Sequence, residues 1–395
     1  VSTTQAEKTI ASRMPTKLAK SPVCSGGFST GLPNDEANAT TNRARTVAAR
    51  STFWGGRMFA SVSLLRSASA GALVACLMGC AGSAAPTATA PFAGTPAAAS
   101  RHAASDATAN AMGLLYVADY TNEAIHIYPL KGKNQQEIGL IQGVPVVEFL
   151  NVDRQHNLYV VEFSAGKVLV YPRGATSPSL TLTVEPKGAF PNAVAISRTG
   201  EVAVGQFQTT GIEFFKKGAT SPFKTIPPAY GSAGFCAYDA SGNLYAILSS
   251  ASGASHIGEI VGGGSGTTMV DLGVNTGITN AKGIQIDKQG DIAVVGDSGT
   301  LNRYQAGTNT LIGTSQLLDP PSDGPNPNGG FSLLASGKNL YVASALLNAQ
   351  NLGEALEYAY PAGGAIRNTV TVQIPPGGGQ QTAVTGVAVD PPERP

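Results

Sequence analysis

One short pattern recurs through this chain and limits what it can fold into. Asp239-Ala240-Ser241-Gly242-Asn243-Leu244-Tyr245-Ala246 is a turn that passes at once into a strand. Related stretches begin at Asp153, Ser197 and Asp287, and one begins at Leu334 with an extra residue. A sixth strand start, Gly113-Leu114-Leu115-Tyr116-Val117, lacks the turn. The aliphatics that align are Leu115, Leu158, Val202, Leu244, Ile292 and Leu340, separated by 43, 44, 42, 48 and 48 residues. A unit of this length cannot bury its own apolar face and must stack on its neighbours.

Each unit adds further strand signals and no helical period. Before the turn runs a small-aliphatic alternation, as in Asn192-Ala193-Val194-Ala195-Ile196 and Lys282-Gly283-Ile284-Gln285-Ile286. After the Leu-Tyr-Val strand comes a Gly/Ser/Asn-rich loop, then a strand ending on an aromatic, such as Ile125-His126-Ile127-Tyr128 or Val168-Leu169-Val170-Tyr171. Gly174-Ala175-Thr176-Ser177-Pro178 and Gly218-Ala219-Thr220-Ser221-Pro222 precede a fourth strand, where Pro suits an outer edge. A four-stranded unit with a period in the forties indicates a β-propeller. The last segment, Gln381 to Asp390, is an inner strand with nothing after it, and the first unit lacks that strand. The expected fold is therefore all-β: a six-bladed β-propeller over 112–395, closed by pairing of the C-terminal strand with the N-terminal blade. Closure removes two open sheet edges at once.

Composition narrows the function classes. Charged residues are 13% and the net charge is +1, so there is no electrostatic case for nucleic acid. The cysteines, Cys24, Cys76, Cys80 and Cys236, match no zinc or redox spacing. Cys236 lies in an apolar run and reads as a small buried hydrophobe.

The first third is of another kind. Residues 1–57 show no sustained periodicity and open on Val, which suggests an untranslated or disordered extension, with the true start at Met58 or Met14. Residues 58–80 have a basic start and an apolar run, Ala68 to Met78, too short to span a bilayer. They end on Leu77-Met78-Gly79-Cys80, which resembles the lipobox of bacterial lipoproteins. That resemblance implies cleavage before Cys80, acylation of its thiol and a place in the cell envelope, at the outer membrane or another extracytoplasmic face. A plain secretory signal or an organelle transit peptide are the alternatives. Residues 81–111, rich in Ala, Pro, Ser and Thr, read as a flexible tether.

The repeat itself, aliphatic-Ala-aliphatic-Asp, two residues, Gly-Asn-Leu-Tyr-Val, then Ile-x-Val-Tyr, resembles the NHL-repeat and SMP-30-like propellers. The resemblance covers Gly113 to Asp390 and is specific for fold. The superfamily includes lactonases, streptogramin lyases, binding proteins and scaffolds, so it leaves function open. Its lactonases hold a divalent cation with Glu, Asn and Asp on the channel face. By that resemblance Glu148, Asn192, Asn280 and Asp297 are the candidate metal residues here, and calcium or magnesium the candidate cofactor. Glu162, Asp119, Asn328 and Asn351 fall on the same face. Asn and Asp are also ordinary turn residues, and Asp153, Asp239, Asp287 and Asp390 read as acceptors for the amides that follow them. No nucleophile elbow, P-loop or dinucleotide fingerprint occurs in a credible context.

The expectation is a monomeric, non-enzymatic binding or scaffold propeller with no cofactor. Its partners would be an unknown small ligand or an envelope protein, and it would meet the membrane through its lipid anchor. A calcium- or magnesium-dependent lactonase- or lyase-like enzyme is the alternative.

Overall fold

The computed structural model describes residues 113–391, apart from 133–134, 208–210, 251–252, 297, 319–329, 334–336, 345–346 and 349. Cys80, the segment before it and the tether lie outside the described residues.

Among the described residues, twenty-four strands form six antiparallel four-stranded blades. Blade 1 takes its inner strand, Val384–Asp390, from the end of the chain and pairs it with Leu114–Asp119, with Leu115 opposite Val389. The inner strands of blades 2 to 6 are Val147–Val152, Phe190–Ile196, Ser232–Tyr238, Ala281–Ile286 and Phe331–Leu333. The outer strands of blades 5 and 6 also touch, in a short parallel pairing of Leu317 and Leu318 with Gly364 and Ala365.

The second strands explain why the Leu-Tyr-Val words were so plain. Every residue of Leu114–Asp119, Leu158–Glu162 and Ile292–Gly296 is buried. A strand held between two neighbouring blades has no solvent face, so its apolar run is continuous rather than alternating. The core is accordingly six clusters, one between each adjacent pair of blades. One of them joins Leu115 and Val117 of blade 1 to Tyr341 and Val370 of blade 6, so the circle is packed shut as well as hydrogen-bonded shut. A fully buried leucine such as Leu115 contributes about 2–3 kcal/mol. Blades 3 and 4 approach closely at one point. A Cβ on Gly205 would lie 1.9 Å from the Gly234 carbonyl oxygen, so only glycine fits there.

The turns behave as the sequence implies in three units. Asp153 accepts from the N–H groups of Gln155 and Asn157 at 2.8 and 2.9 Å, Asp239 from Ser241 and Asn243 at 2.8 Å, and Asp287 from Gln289 and Asp291 at 3.0 and 2.9 Å. His156 takes the left-handed place that Gly200, Gly242 and Gly290 hold elsewhere, at φ 66°.

Asp390 departs from the expectation. Its fully buried carboxylate meets His156 Nδ1 at 2.5 Å and Arg173 Nε at 3.0 Å, both from blade 2. Among the described residues no turn amide donates to Asp390, and the same residue type ties two blades together instead. Gly262–Gly266 also differs from a plain hairpin loop. It contains a single 3₁₀ turn, Gly263–Ser265, whose Gly264 N–H donates to Glu201 of blade 3 at 2.9 Å.

Candidate binding site at the channel mouth

Every inner strand runs from one mouth of the central channel to the other. Near the entry end, five of them carry, among the described residues, one extra residue that the neighbouring strand does not match. The positions align five residues before the turn residue of each unit: Thr385, Glu148, Asn192, Gly234 and Lys282. Such a bulge bends the strand and re-aims one side chain. Five bulges at one level build a ring of re-aimed groups around the entry mouth, here termed the upper mouth.

Two of the four candidate metal residues fall in that ring. Glu148 of blade 2 is half-buried, and no described group donates a hydrogen bond to its carboxylate. Burial pushes its pKa up to about 7 from the ordinary 4.5, although the Lys282 ammonium of blade 5, directly across the channel, pulls the other way. Asn192 of blade 3 lies against the backbone of Gly234, where a Cβ would come within 2.9 Å of its Nδ2, and its Oδ1 is buried with no hydrogen-bond partner. Thr385 donates to the Val147 carbonyl at 2.5 Å and ties blade 1 to blade 2.

Asn280 lies beside the ring and not in it. It is exposed, in a left-handed conformation at φ 54°, two residues before the bulge in its unit. Asp297 lies outside the described residues, as does Asn328. Among the described residues, no group of three or more His, Cys, Asp or Glu side chains converges as a metal site. The described partner of Glu148 is an ammonium group, which suits a cation poorly.

The remaining acidic and amide candidates serve the fold. Asp119 is fully buried and accepts from Thr121 N–H and Ala383 N–H, both at 3.1 Å, and from the Asn122 amide at 2.6 Å. Burial opposes its ionisation, but the hydrogen bonds, with His126 beside it, hold its pKa below the ordinary value. Glu162 is buried opposite Lys167. Asn351 sits in a left-handed turn at φ 61°.

Aromatic side chains crowd one half of the rim. Tyr120, Phe163 and Phe207 align in sequence, five residues after the repeated aliphatic, at the end of the second strands of blades 1, 2 and 3, where the sequence of the other three units has Ser249, Asp297 and Ala345. Phe190 joins them, with its ring centroid 5.0 Å from Phe163, and Phe163 lies 6.4 Å from Phe207. Phe207 is 52% exposed, so this apolar surface is open to solvent. Tyr120 is half-buried, and burial together with the Glu148 charge raises its pKa.

One residue below the bulges, the channel is plugged. Phe149 of blade 2 reaches Phe235 of blade 4, ring to ring at 5.9 Å, and a Cβ on Gly330 of blade 6 would come within 2.9 Å of the Phe149 ring. Blades 1, 3 and 5 have Gly386, Ala193 and Gly283 at that level, which makes room for the two rings. The plug separates the upper mouth from a shallow, open depression at the opposite, lower mouth, lined by Asn151, Asp153, Ile196, Asp239, Gln285 and Ser332 among others.

Comparison with known proteins adds fold alone. No family model matches the chain, and no curated protein does. Among solved structures, a protein of unknown function from Bacteroides caccae is similar over 70% of this chain and 98% of its own, at 12% identity and a TM-score of 0.50. Kuenenia stuttgartiensis hydrazine synthase is similar over 62% of this chain and 73% of that one, at 16% identity and a TM-score of 0.46. Among the described residues, no helix is long and apolar enough to cross a membrane.

Proposed function

We propose that this chain is a non-enzymatic binding propeller of the cell envelope, held there by acylated Cys80, and that it takes its ligand at the upper mouth. One observation carries the reading. At that mouth two polar groups, the Glu148 carboxyl and the Asn192 amide oxygen, are desolvated without hydrogen-bond partners beside an exposed aromatic rim. Buried polar groups are normally paired, and an unpaired one that persists often awaits a partner from outside. The aromatic half of the rim would cover an apolar face of the ligand, and Glu148, Asn192 and Lys282 would read its polar end. The lipobox-like end at Cys80 and the Ala/Pro/Ser/Thr-rich tether support the envelope address.

A small-molecule library tested by thermal shift examines the ligand reading. Stabilising compounds are expected, and Phe163→Ala and Asn192→Ala are expected to abolish the stabilisation. Compounds whose effect survives both changes would place the site elsewhere. Turnover of lactones in calcium or magnesium by the same preparation would establish the enzymatic alternative instead. For the anchor, the Cys80→Ser chain is expected to leave the membrane fraction, and the mass of the mature N-terminus to lose its acyl increment.

A further inference from the structure

We infer, on the reading of the upper mouth as the binding site, that its ligand is a small zwitterion with an apolar side group, of the α-amino acid class. Its ammonium would sit at Glu148 and Asn192, its carboxylate at Lys282 and its side group on the aromatic rim.

The ring of bulges is the first ground. Its five positions hold one acid, one base, one amide, one hydroxyl and a glycine. Thr385 is spent on the Val147 carbonyl, and Gly234 has no side chain. Glu148 and Lys282 stand on blades 2 and 5, at opposite sides of the channel, and both are half-buried. Among the described residues, no ion pair or hydrogen bond joins either side chain to another group, and Lys282 acts on Glu148 through space alone. A lone cation drawn to Glu148 would meet Lys282, and a lone anion drawn to Lys282 would meet Glu148. A molecule that carries both charges neutralises both and is repelled by neither. The Glu148 carboxyl is pushed up to about 7 by burial, and a bound ammonium would reverse that by supplying the missing opposite charge.

The placing of the other groups is the second ground. Asn192, on blade 3 next to Glu148, has a buried Oδ1 with no hydrogen-bond partner, and a carbonyl oxygen only accepts. It is suited to a second N–H of an ammonium held by Glu148. The exposed aromatics lie on the same half of the ring: Phe163 ends the second strand of blade 2, and Phe190 and Phe207 belong to blade 3. In an α-amino acid the ammonium and the side group leave one carbon. Both therefore reach the same half of the ring while the carboxylate points across it to blade 5. The Phe149–Phe235 plug closes the floor one residue below, which keeps water from the charges and strengthens both contacts.

The test is calorimetric titration of the full-length chain with L-leucine, L-phenylalanine and leucyl-leucine, beside glycine, N-acetyl-L-leucine and L-leucinamide. At least one of the first three is expected to bind. Glycine lacks the side group, N-acetyl-L-leucine the ammonium and L-leucinamide the carboxylate, and each is expected to bind at least about tenfold more weakly. Lys282→Met is expected to weaken the zwitterion at least about tenfold and to leave L-leucinamide unweakened. Glu148→Gln is expected to weaken the zwitterion as much and to leave N-acetyl-L-leucine unweakened. At pH 6 binding to the native chain should release a proton into the buffer, and binding to Glu148→Gln none. Lys282 and Tyr120 are the described groups coupled to Glu148, and burial raises the Tyr120 hydroxyl above its ordinary 10, so it stays protonated throughout. Arg198→Gln, an exposed change at the lower mouth, is expected to alter nothing. No zwitterion bound, analogues bound as tightly as the parent, or affinity that survives Lys282→Met would overturn the inference. Both mouth substitutions nearly conserve volume, so the variants keep the fold and the result stays readable. A ligand of other charge whose binding is lost in Phe163→Ala and Asn192→Ala would keep the upper mouth as the site and remove the zwitterion. A zwitterion whose binding survives both changes would place the site elsewhere.

Discussion

The two mouths of the channel are built from the two ends of the same strands, yet they treat polar groups in opposite ways. At the lower mouth Asp153, Asp239 and Asp287 accept from the amides of their own turns, Asp287 also from the Tyr360 hydroxyl, and Asp390 is paired with His156 and Arg173 although its Oδ2 makes no hydrogen bond. At the upper mouth Glu148 and Asn192 are desolvated and left without hydrogen bonds. The repeated acid holds the ring together, whereas the bulge residues weaken it. A fold that places unsatisfied groups at one aligned position, beside exposed rings, gives up stability at a site of interaction.

The sharpest way to break this contrast is to damage the stabilising end. Asp390→Ala leaves Arg173 beside an empty acceptor at the blade 1–blade 2 interface. Removing one partner of a buried pair costs about 3–5 kcal/mol. The urea midpoint should therefore fall strongly, and it should do so at high salt as well, since the carboxylate is fully buried. A loss below about 1 kcal/mol would mean that Asp390 is no more than another turn residue, on the scale of exposed ion pairs.

The next change should act in the opposite direction. Folding raises the Glu148 pKa from 4.5 to about 7, so the native state holds a proton that the unfolded chain releases. Stability from this group is greatest below pH 4.5, falls as pH rises to about 7, and is level above that. Glu148→Gln removes the fall. At pH 8 the variant should be more stable by about 1–3 kcal/mol, the upper end being the full shift and the lower end allowing for water at the mouth. At pH 4 the two proteins should melt together. Glu213, also raised to about 7 by burial, keeps its own slope in both, so the difference between the two melting curves is the quantity to measure. A variant that is less stable at pH 8 would show that Glu148 has a partner and that the mouth is not in deficit.

How much of this could be read without coordinates follows from what repeats and what does not. The six blades and their closure were readable because Gly-Asn-Leu-Tyr-Val recurs wherever a turn feeds a strand buried on both faces, and because Gly113 lacks the strand that Gln381–Asp390 supplies. Glu148 and Asn192 were reachable as residues ahead of inner strands. Their bulge was not, since an extra residue leaves no mark in one strand until its partner is known. Lys282 was missed for that reason, while Asn280, two residues earlier, lies just ahead of its inner strand as expected. Counting back five residues from Asp153, Asp287 and Asp390 would have found Glu148, Lys282 and Thr385 together. The plug escaped notice because Phe149 and Phe235 read as ordinary core. Only the small residues in the other blades show that the rings cross the axis.

The smallest expected effect tests the contrast most directly. Asn192→Ala deletes a half-buried amide, and at an average site such a change destabilises by about 1 kcal/mol. Here Oδ1 has no hydrogen bond to lose, and its desolvation is already an unrecovered cost. The substituted residue keeps its bulge, which is held by backbone pairing on either side, Pro191 with Gln206 and Ala193 with Gly205. The expected result is no loss, or a gain of about 0.5–1 kcal/mol, in a chain that no longer responds to an upper-mouth ligand. Gain of stability with loss of response would place Asn192 among the groups kept for binding. Loss of both would make it a structural residue whose partner lies in the loops around it, and the two mouths would then differ in shape alone.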